Sequence, residues 1–158
     1  VEIREQGAPV PLVVLVGDGP NRQRLENEAI ALGLQNDVIL AGQRRHDEVA
    51  LWMGAADWLL LSSSSEGWAT VYFEAMACGL PIVTTDAPGC REVVNHGDNG
   101  LLVPQRDAAA LADALRRLIA DAGLRAQMGA RSRERALAEF SQTQVIAQTL
   151  QLYREQLQ

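Results

Sequence analysis

Two glutamates eight residues apart are the side chains of this sequence that most clearly could do chemistry. Glu66 lies in a turn of small residues, SSSSEG, and Glu74 lies in an apolar run, TVYFEAMA, that has the character of a helix. A carboxylate only accepts hydrogen bonds, so its small-molecule partners are hydroxyls or cations. Because Glu74 stands between Phe73 and Ala75, binding is a better interpretation than simple solvation.

The residues between the two glutamates add a site for an anion. A helix that begins near Ala69 and Thr70 leaves its first N–H groups without partners, and such an end favours phosphate. The apolar run before it ends at Leu61, and ligands of open parallel sheets bind beyond the carboxyl ends of the strands. A phosphate flanked by hydroxyls describes a nucleotide sugar. The alternative is that Glu66 only offsets the helix dipole and Glu74 is solvated.

Alternating strands and helices form the framework that must position these residues. Short apolar runs bounded by glycine or proline predict buried parallel strands, at 11–17, 37–42, 57–63, 82–85 and 100–103. Helices are predicted at 21–33, 46–56, 70–78 and 90–95, over the apolar face from Leu111 to Ile119, at 123–138, and from Ser141 with a stripe of Ile146, Leu150, Tyr153 and Leu157. The sequence therefore predicts one α/β domain over 1–158, a Rossmann-like three-layer sandwich with a parallel sheet and C-terminal helices.

Composition narrows the class of protein. The formal net charge is −6 without a basic run, which argues against nucleic acid or an anionic membrane as the main partner. The absence of a long apolar stretch or signal-peptide pattern predicts a cytoplasmic protein. Cys78 and Cys90 are expected to be reduced thiols packed in the core, and two scattered histidines are too few for a histidine-based metal site.

Other motifs are weaker when each is taken alone. Gly17 and Gly19 follow the first strand and could let the backbone approach a ligand, but Arg22 stands where a dinucleotide fingerprint needs its third glycine. A tight turn between strand and helix is the simpler interpretation. Glu92 suits the start of a helix, and His96 is predicted to lie in a surface turn.

Several segments together resemble one family. They are GDGP at 17–20, EGWATVYFEAMACGLPIVTTDAPG at 66–89, CREVV at 90–94 and GDNGLLVP at 97–104. In order and spacing they are similar to the C-terminal, nucleotide-sugar-binding domain of retaining group 1 (family 4) glycosyltransferases. The resemblance covers about 11–139 and implies the GT-B fold of two facing Rossmann-like domains.

The resemblance implies a role for each matching residue. Glu66 corresponds to the catalytic glutamate that approaches the hydroxyls of the donor sugar, and Glu74 to the one that holds the ribose hydroxyls. The donor-binding set is Gly17, Gly19, Gln43, Arg44, Glu66, Gly67, Trp68, Ala69, Thr70, Val71 and Glu74. Within it, the amides near Ala69 to Val71 meet the diphosphate, and Gln43 and Arg44 lie near the base. The family needs neither a cofactor nor an active-site metal.

The sequence also departs from the family pattern. Family members usually carry an arginine and a lysine on the first strand and helix of this domain, and no segment here matches them; the acceptor domain is absent too. We therefore expect a fragment with weak donor affinity and negligible activity by itself. The implied partners are a nucleotide sugar and an N-terminal acceptor domain in cis, with no nucleic acid and with room for peripheral membrane association of a longer protein.

Two other functions stay open on the sequence. One is a stand-alone, non-catalytic binding or assembly module, in which an exposed sheet edge invites self-association. The other is half of a sugar-nucleotide epimerase or phosphorylase on the same fold. PGCREVV at 88–94 is similar to members that build bacterial surface polysaccharides, which suggests a surface glycan or glycolipid as acceptor.

Overall fold

The computed structural model describes residues 10–67 and 69–157, so the predicted site residue Trp68 lies outside the described residues. Five short strands are present: β1 Val13–Val16, β2 Val38–Gly42, β3 Leu59–Leu61, β4 Ile82–Thr85 and β5 Gly100–Val103. Seven helices accompany them in the described part: α1 Arg22–Ala31, α2 His46–Gly54, α3 Thr70–Ala77, α4 Cys90–Val93, α5 Ala108–Ala120, α6 Ala122–Glu139 and α7 Gln142–Gln156. The predicted order of elements is confirmed.

Every strand pair is parallel, but the strands do not form one continuous sheet. Within residues 10–67 and 69–157, β1 pairs only with β2, in the register Val13 to Val38, and β3, β4 and β5 form a second sheet in that order. The single sheet expected from the sequence is thus divided, among the described residues, between β1 and β2 on one hand and β3 to β5 on the other. The α/β class and the parallel strands are confirmed.

The core surrounds β4. Successive side chains of β4 point to opposite faces of the sheet. Ile82 packs with Tyr72 and Met76 of α3, whereas Val83 packs with Leu118 of α5 and Met128 of α6. Both Ile82 and Val83 are fully buried. Because helices cover both faces of β4, this half of the molecule is the three-layer sandwich that its uninterrupted apolar strands predict.

Helix α3 is held at its C-terminal end by a close approach of α6. Gly79, just after the helix, has φ +74°, and a Cβ atom at Gly129 of α6 would collide with the Gly79 carbonyl oxygen. One turn along α6, the Ser132 hydroxyl donates to the Asn99 carbonyl oxygen at 3.1 Å. The two glycines let α3 and α6 approach with almost no side chain between them.

One apolar stripe is left uncovered, and one expectation about packing is wrong. The stripe on α7 stays at the surface, with Ile146 and Leu150 each 50% exposed, and α7 has no buried residue among those described. An amphipathic pattern identifies an apolar face but not whether the chain supplies something to cover it. Cys90 is buried as predicted, but Cys78 is exposed because it caps the surface end of α3.

Candidate functional site

The turn between β3 and α3 leads into a helix whose first amides have no partner among the described residues. Ala69 is the N-cap residue, with extended backbone (φ −72°, ψ 111°) and no side-chain cap. No described residue accepts a hydrogen bond from the N–H groups of Ala69, Thr70 or Val71, and the first amide of the helix to find an acceptor is that of Tyr72. Three donors and the positive end of the helix dipole therefore lie in the turn that follows the carboxyl end of β3.

Glu66 is held just before this helix by the strand ends on either side. The Ser63 hydroxyl donates to Glu66 Oε1, and the Thr85 hydroxyl donates to the Ser63 carbonyl oxygen. The Glu66 amide donates to the Pro88 carbonyl oxygen at 3.2 Å. Both the backbone and the carboxylate of Glu66 are thereby fixed by residues that follow β3 and β4.

The turn after β4 is shaped to receive Glu66. Gly89 has φ +84°, and a Cβ atom there would collide with the Glu66 carbonyl oxygen. Nearby, Arg91 binds the Asp86 carboxylate, with Nη2 at 3.1 Å from Oδ2, and this hydrogen bond lowers the pKa of Asp86. The ion pair closes the turn on its outer side.

Glu74 lies one turn into α3, and 29% of its side chain is exposed. His46, which begins α2 just beyond the end of β2, places its Nδ1 atom 3.9 Å from Glu74 Oε1. The start of α2 therefore meets the first turns of α3 at this carboxylate. Partial burial beside a helix N-terminus suits an acceptor of ligand hydroxyls better than a freely solvated residue.

The glycine turns after β1 and β2 lie against each other. Gly17 has φ +134°, and its amide donates to the Gly42 carbonyl oxygen at 2.9 Å. The Gly19 amide donates to Asp18 Oδ1 at 2.8 Å, so this turn is closed by its own aspartate. Arg44 precedes α2, and its guanidinium lies 3.9 Å from Glu48 in the first turn of that helix, so the ion pair found for it is with α2 rather than with Glu74.

A buried polar cluster lies between the ends of β3 and β4 and the helices α3 and α4. The Tyr72 hydroxyl lies 2.8 Å from Thr84 Oγ1 and 3.2 Å from Cys90 Sγ, and Thr84 Oγ1 donates to the Leu61 carbonyl oxygen at 2.8 Å. Burial raises the pKa of the Tyr72 phenol above its usual range. The cluster ties the ends of β3 and β4 to α3 and α4, and Glu66 lies in the turn between β3 and α3.

The structure thus brings the predicted residues together in two groups. Glu66, Gly67, Ala69, Thr70, Val71 and Glu74 follow β3, while Gly17, Gly19, Gln43 and Arg44 follow β1 and β2; the contact between His46 and Glu74 joins the second group to the first. Sequence reasoning missed Ser63, Thr85 and His46. Their position at or shortly after strand ends was the available signal, because parallel strands end at one shared edge.

A concave space of about 340 Å³ opens at the same edge of the second sheet but on the β4–β5 side. It is lined by Ser62, Thr85, Val103, Pro104, Arg106 and Asp107, among others, and by neither glutamate. Within 10–67 and 69–157, no group of three or more histidine, cysteine, aspartate or glutamate side chains could hold a metal ion. No described helix is long and apolar enough to cross a membrane.

Comparison with known proteins identifies the family. The family model described as "Glycosyl transferases group 1" matches residues 1–135. The chain belongs to the group 1 glycosyltransferase family. The resemblance inferred from the motifs is confirmed, and with it the Rossmann-like α/β fold.

Individual relatives share about one third of their residues with this glycosyltransferase chain in the matched region. N-acetyl-alpha-D-glucosaminyl L-malate synthase of Bacillus anthracis is 34% identical over 145 residues, which are 92% of this chain and 38% of the relative. A sucrose-phosphate synthase structure from Thermosynechococcus elongatus matches with a TM-score of 0.84 and 34% identity, over 92% of this chain and 38% of that one. The Anabaena protein HepE, solved in complex with UDP-glucose, matches with a TM-score of 0.78 and 32% identity, over 87% and 40%. This chain therefore spans about two fifths of the length of these relatives.

Proposed function

We propose that this chain is the donor-binding domain of a retaining glycosyltransferase that transfers a sugar from a nucleotide sugar to an acceptor. The observation that carries the proposal is the set of three amides at the start of α3 that have no acceptor among the described residues and lie in sequence between Glu66 and Glu74. Amides at a helix start suit a diphosphate, and carboxylates on both sides suit the hydroxyls of the two sugars that a diphosphate links.

Each group has a separate part in this proposal. The amides of Ala69 to Val71 bind the diphosphate, which leaves when the bond to the sugar breaks, and the helix dipole stabilises its developing charge. Glu74 accepts hydrogen bonds from the ribose hydroxyls. Glu66 accepts them from the donor sugar, and its anchoring by Ser63 and Pro88 keeps the carboxylate where the sugar lies. Gln43 and Arg44 lie on the side of the base.

The rest of the proposal concerns the longer protein. HepE, which was solved with UDP-glucose, supports a uridine nucleotide sugar as the donor class to test first. A facing domain would bind the acceptor, which we propose to be a bacterial surface glycan or glycolipid, and would exclude water from the cleft. The reaction as proposed uses no cofactor and no metal. The 158-residue chain by itself should bind the donor weakly and transfer nothing.

Calorimetric titration of the full-length protein with UDP-glucose, GDP-mannose and ADP-glucose tests the donor site. Glu74→Ala should weaken binding of the preferred nucleotide sugar about tenfold or more, because hydrogen bonds to a charged group contribute roughly 1.5–3 kcal/mol. The nucleoside diphosphate without the sugar should lose affinity to the same degree, since the ribose is present in the nucleotide sugar and in the free nucleotide. Glu92→Ala is the matched control, because Glu92 is an exposed helix glutamate on α4. Unchanged affinity in Glu74→Ala would overturn the ribose assignment.

A further inference from the structure

His46 brings the start of α2 to the carboxylate that carries the proposed ribose contact. It is the first residue of α2, shortly after β2 ends at Gly42, and its Nδ1 atom lies 3.9 Å from Glu74 Oε1. The side chain of His46 is 85% exposed, whereas that of Glu74 is 29% exposed. A solvated imidazole, free to rotate, therefore lies beside a carboxylate that is itself partly sheltered.

Packing between α2 and α3 holds these two residues within reach of each other. Met53 of α2 and Ala75 of α3 lie in one buried cluster, and Val49 of α2 packs against it. Val49 lies about one helical turn after His46, and Ala75 is next to Glu74 in the chain. The backbone positions that bring the imidazole and the carboxylate together are thus fixed by buried apolar contacts.

The charged side chains around the start of α2 pair with one another rather than with His46. Arg45 Nε and Nη2 lie 3.0 and 2.8 Å from the two carboxylate oxygens of Asp47. Arg44 Nη1 lies 3.9 Å from Glu48 Oε1. On α3, Glu74 is the only charged residue. Within the described ranges, the carboxylate of Glu74 is therefore the only one within 4 Å of the imidazole.

The proposed donor site carries negative charge that its surroundings leave almost without compensation. Glu66 accepts a hydrogen bond from the uncharged Ser63 hydroxyl, and no described arginine lies within 4 Å of Glu66 or Glu74. A diphosphate bound beside two carboxylates is repelled by both. In the described part of the chain, His46 is the one side chain able to carry positive charge that lies within that distance of either glutamate.

We propose that His46 is a positioning residue for Glu74, an inference that rests on the proposed donor-binding function. The protonated imidazole donates from Nδ1 to Glu74 Oε1, which holds the carboxylate toward the ribose and offsets its charge. Each carboxylate oxygen has two lone pairs, so Glu74 can accept from His46 and from ribose hydroxyls together. With a neutral imidazole, the carboxylate repels the diphosphate without compensation. The site should therefore bind a nucleotide sugar more tightly when His46 is protonated.

Calorimetric titration of the full-length protein at about pH 6 and about pH 8 tests this role, because histidine side chains change charge in this interval. The ligand is whichever of UDP-glucose, GDP-mannose and ADP-glucose binds most tightly. The phosphates of these compounds lack the ionisation at about pH 6 that a phosphate monoester has. The parent protein should bind about threefold more tightly at the lower pH, a small factor because exposed ion pairs contribute little.

Substitutions separate the charge of His46 from its packing. His46→Gln should bind at both pH values as weakly as the parent does at about pH 8. His46→Lys, which stays charged, should bind at both as tightly as the parent does at about pH 6. In a Glu74→Ala background, His46→Gln should have no further effect, because the contact is already lost. His96→Gln is the matched control: His96 is the other histidine of the chain and accepts from the Leu102 amide at 3.1 Å, so the parent's pH dependence should persist.

Two outcomes would overturn the role of His46 alone. One is a loss of affinity in His46→Gln that is equal at both pH values, which would make the imidazole a packing element only. The other is a weakened Glu74→Ala together with parent-like affinity and pH dependence in His46→Gln. The proposed function fails in a different way. If none of the three nucleotide sugars binds, or if Glu74→Ala binds as tightly as the parent, the ribose assignment is wrong and the role of His46 falls with it.

Discussion

A single glycine decides where the proposed catalytic carboxylate can lie. Gly89 and Gly97 share a φ of +84°, but a Cβ atom at Gly89 would collide with the Glu66 carbonyl oxygen, whereas at Gly97 it would meet no atom within 4 Å. The two positions therefore separate the cost of an unfavourable backbone conformation from the cost of displacing Glu66.

Substituting each glycine by alanine measures the two costs. Gly97→Ala should lower the free energy of unfolding by about 1 kcal/mol, the penalty for a left-handed alanine. Gly89→Ala should lower it by about 2 kcal/mol more, because the Glu66 turn must shift. It should also weaken UDP-glucose binding, which Gly97→Ala leaves unchanged. Urea unfolding and calorimetry provide both values, and equal losses in the two variants would show that Gly89 does not position Glu66.

Individual site residues could be predicted from the sequence where the residue type and its spacing are themselves unusual. Glu66 and Glu74 stand out because carboxylates beside a helix start and inside an apolar helix are unusual. Ser63, Thr85 and His46 could not be found in the same way. Their roles depend on contacts between strand ends that lie 20 or more residues apart, such as the hydrogen bond from Thr85 to Ser63, or between the starts of two helices.

Among the elements, α6 fixes the turn before β5 through one buried arginine. Arg135 Nη1 donates to the Val93 carbonyl oxygen at 2.7 Å, and Nη2 lies 2.8 Å from Glu139 Oε2. The hydrogen bond from Arg135 lowers the pKa of Glu139 below 4.5, its ordinary value, while burial and the charge of Asp98 oppose the shift. A group whose pKa is lowered on folding stabilises the protein above its unfolded pKa and ceases to do so as pH falls through its folded pKa.

The lowered pKa of Glu139 predicts how the effect of Glu139→Gln on the free energy of unfolding depends on pH. At about pH 6 the variant should be less stable than the parent chain, and the difference should shrink as the pH falls through the folded pKa of Glu139, where the parent's carboxylate is protonated too. Urea unfolding at about pH 6 and at successively lower pH values measures the change. Glu92→Gln, at an exposed helix glutamate of α4, is the control for the substitution itself. A difference that persists at the lower pH would mean that the side chain acts by packing rather than by charge.

The bounds of strands were predicted well, because they depend on local sequence. The pairing of strands and the burial of helix faces were predicted less well, because they depend on distant parts of the chain. The strands at 82–85 and 100–103 agree with the structure to the residue, because short apolar runs between glycine and proline leave few alternatives. The division into two sheets was not foreseen, since pairing depends on which strands are present to be neighbours. The exposed stripe of α7 has the same origin: periodicity predicts the face, and a partner elsewhere decides its burial.

The molecule as a whole has a well-packed half and a loosely packed one. Among residues 10–52, Ala29 alone is buried, while β4, β5 and the helices that flank them supply most of the buried apolar residues. Exposed large apolar side chains are correspondingly frequent in β1, α1 and α2. Because stability follows buried apolar contact, the two halves should open at different free energies.

Native-state hydrogen exchange in low urea should resolve this difference. In the 158-residue chain, amides that pair β1 with β2, such as Leu15 and Ile39, should exchange through a local opening well below the global free energy of unfolding. Amides of Val83 and Thr84 should exchange only by global unfolding. A single free energy for all four would contradict the two-part description and show that the halves unfold together.

The close approach of Gly79 to Gly129 gives α3 a fixed rear support. The eight-residue helix is about 12 Å long, so its first amides and this contact lie at its opposite ends. A methyl group added at Gly129 would collide with the Gly79 carbonyl oxygen and so displace the C-terminal end of the helix. On the proposed function, a change on α6 would therefore alter the affinity for a diphosphate through residues that never meet the nucleotide.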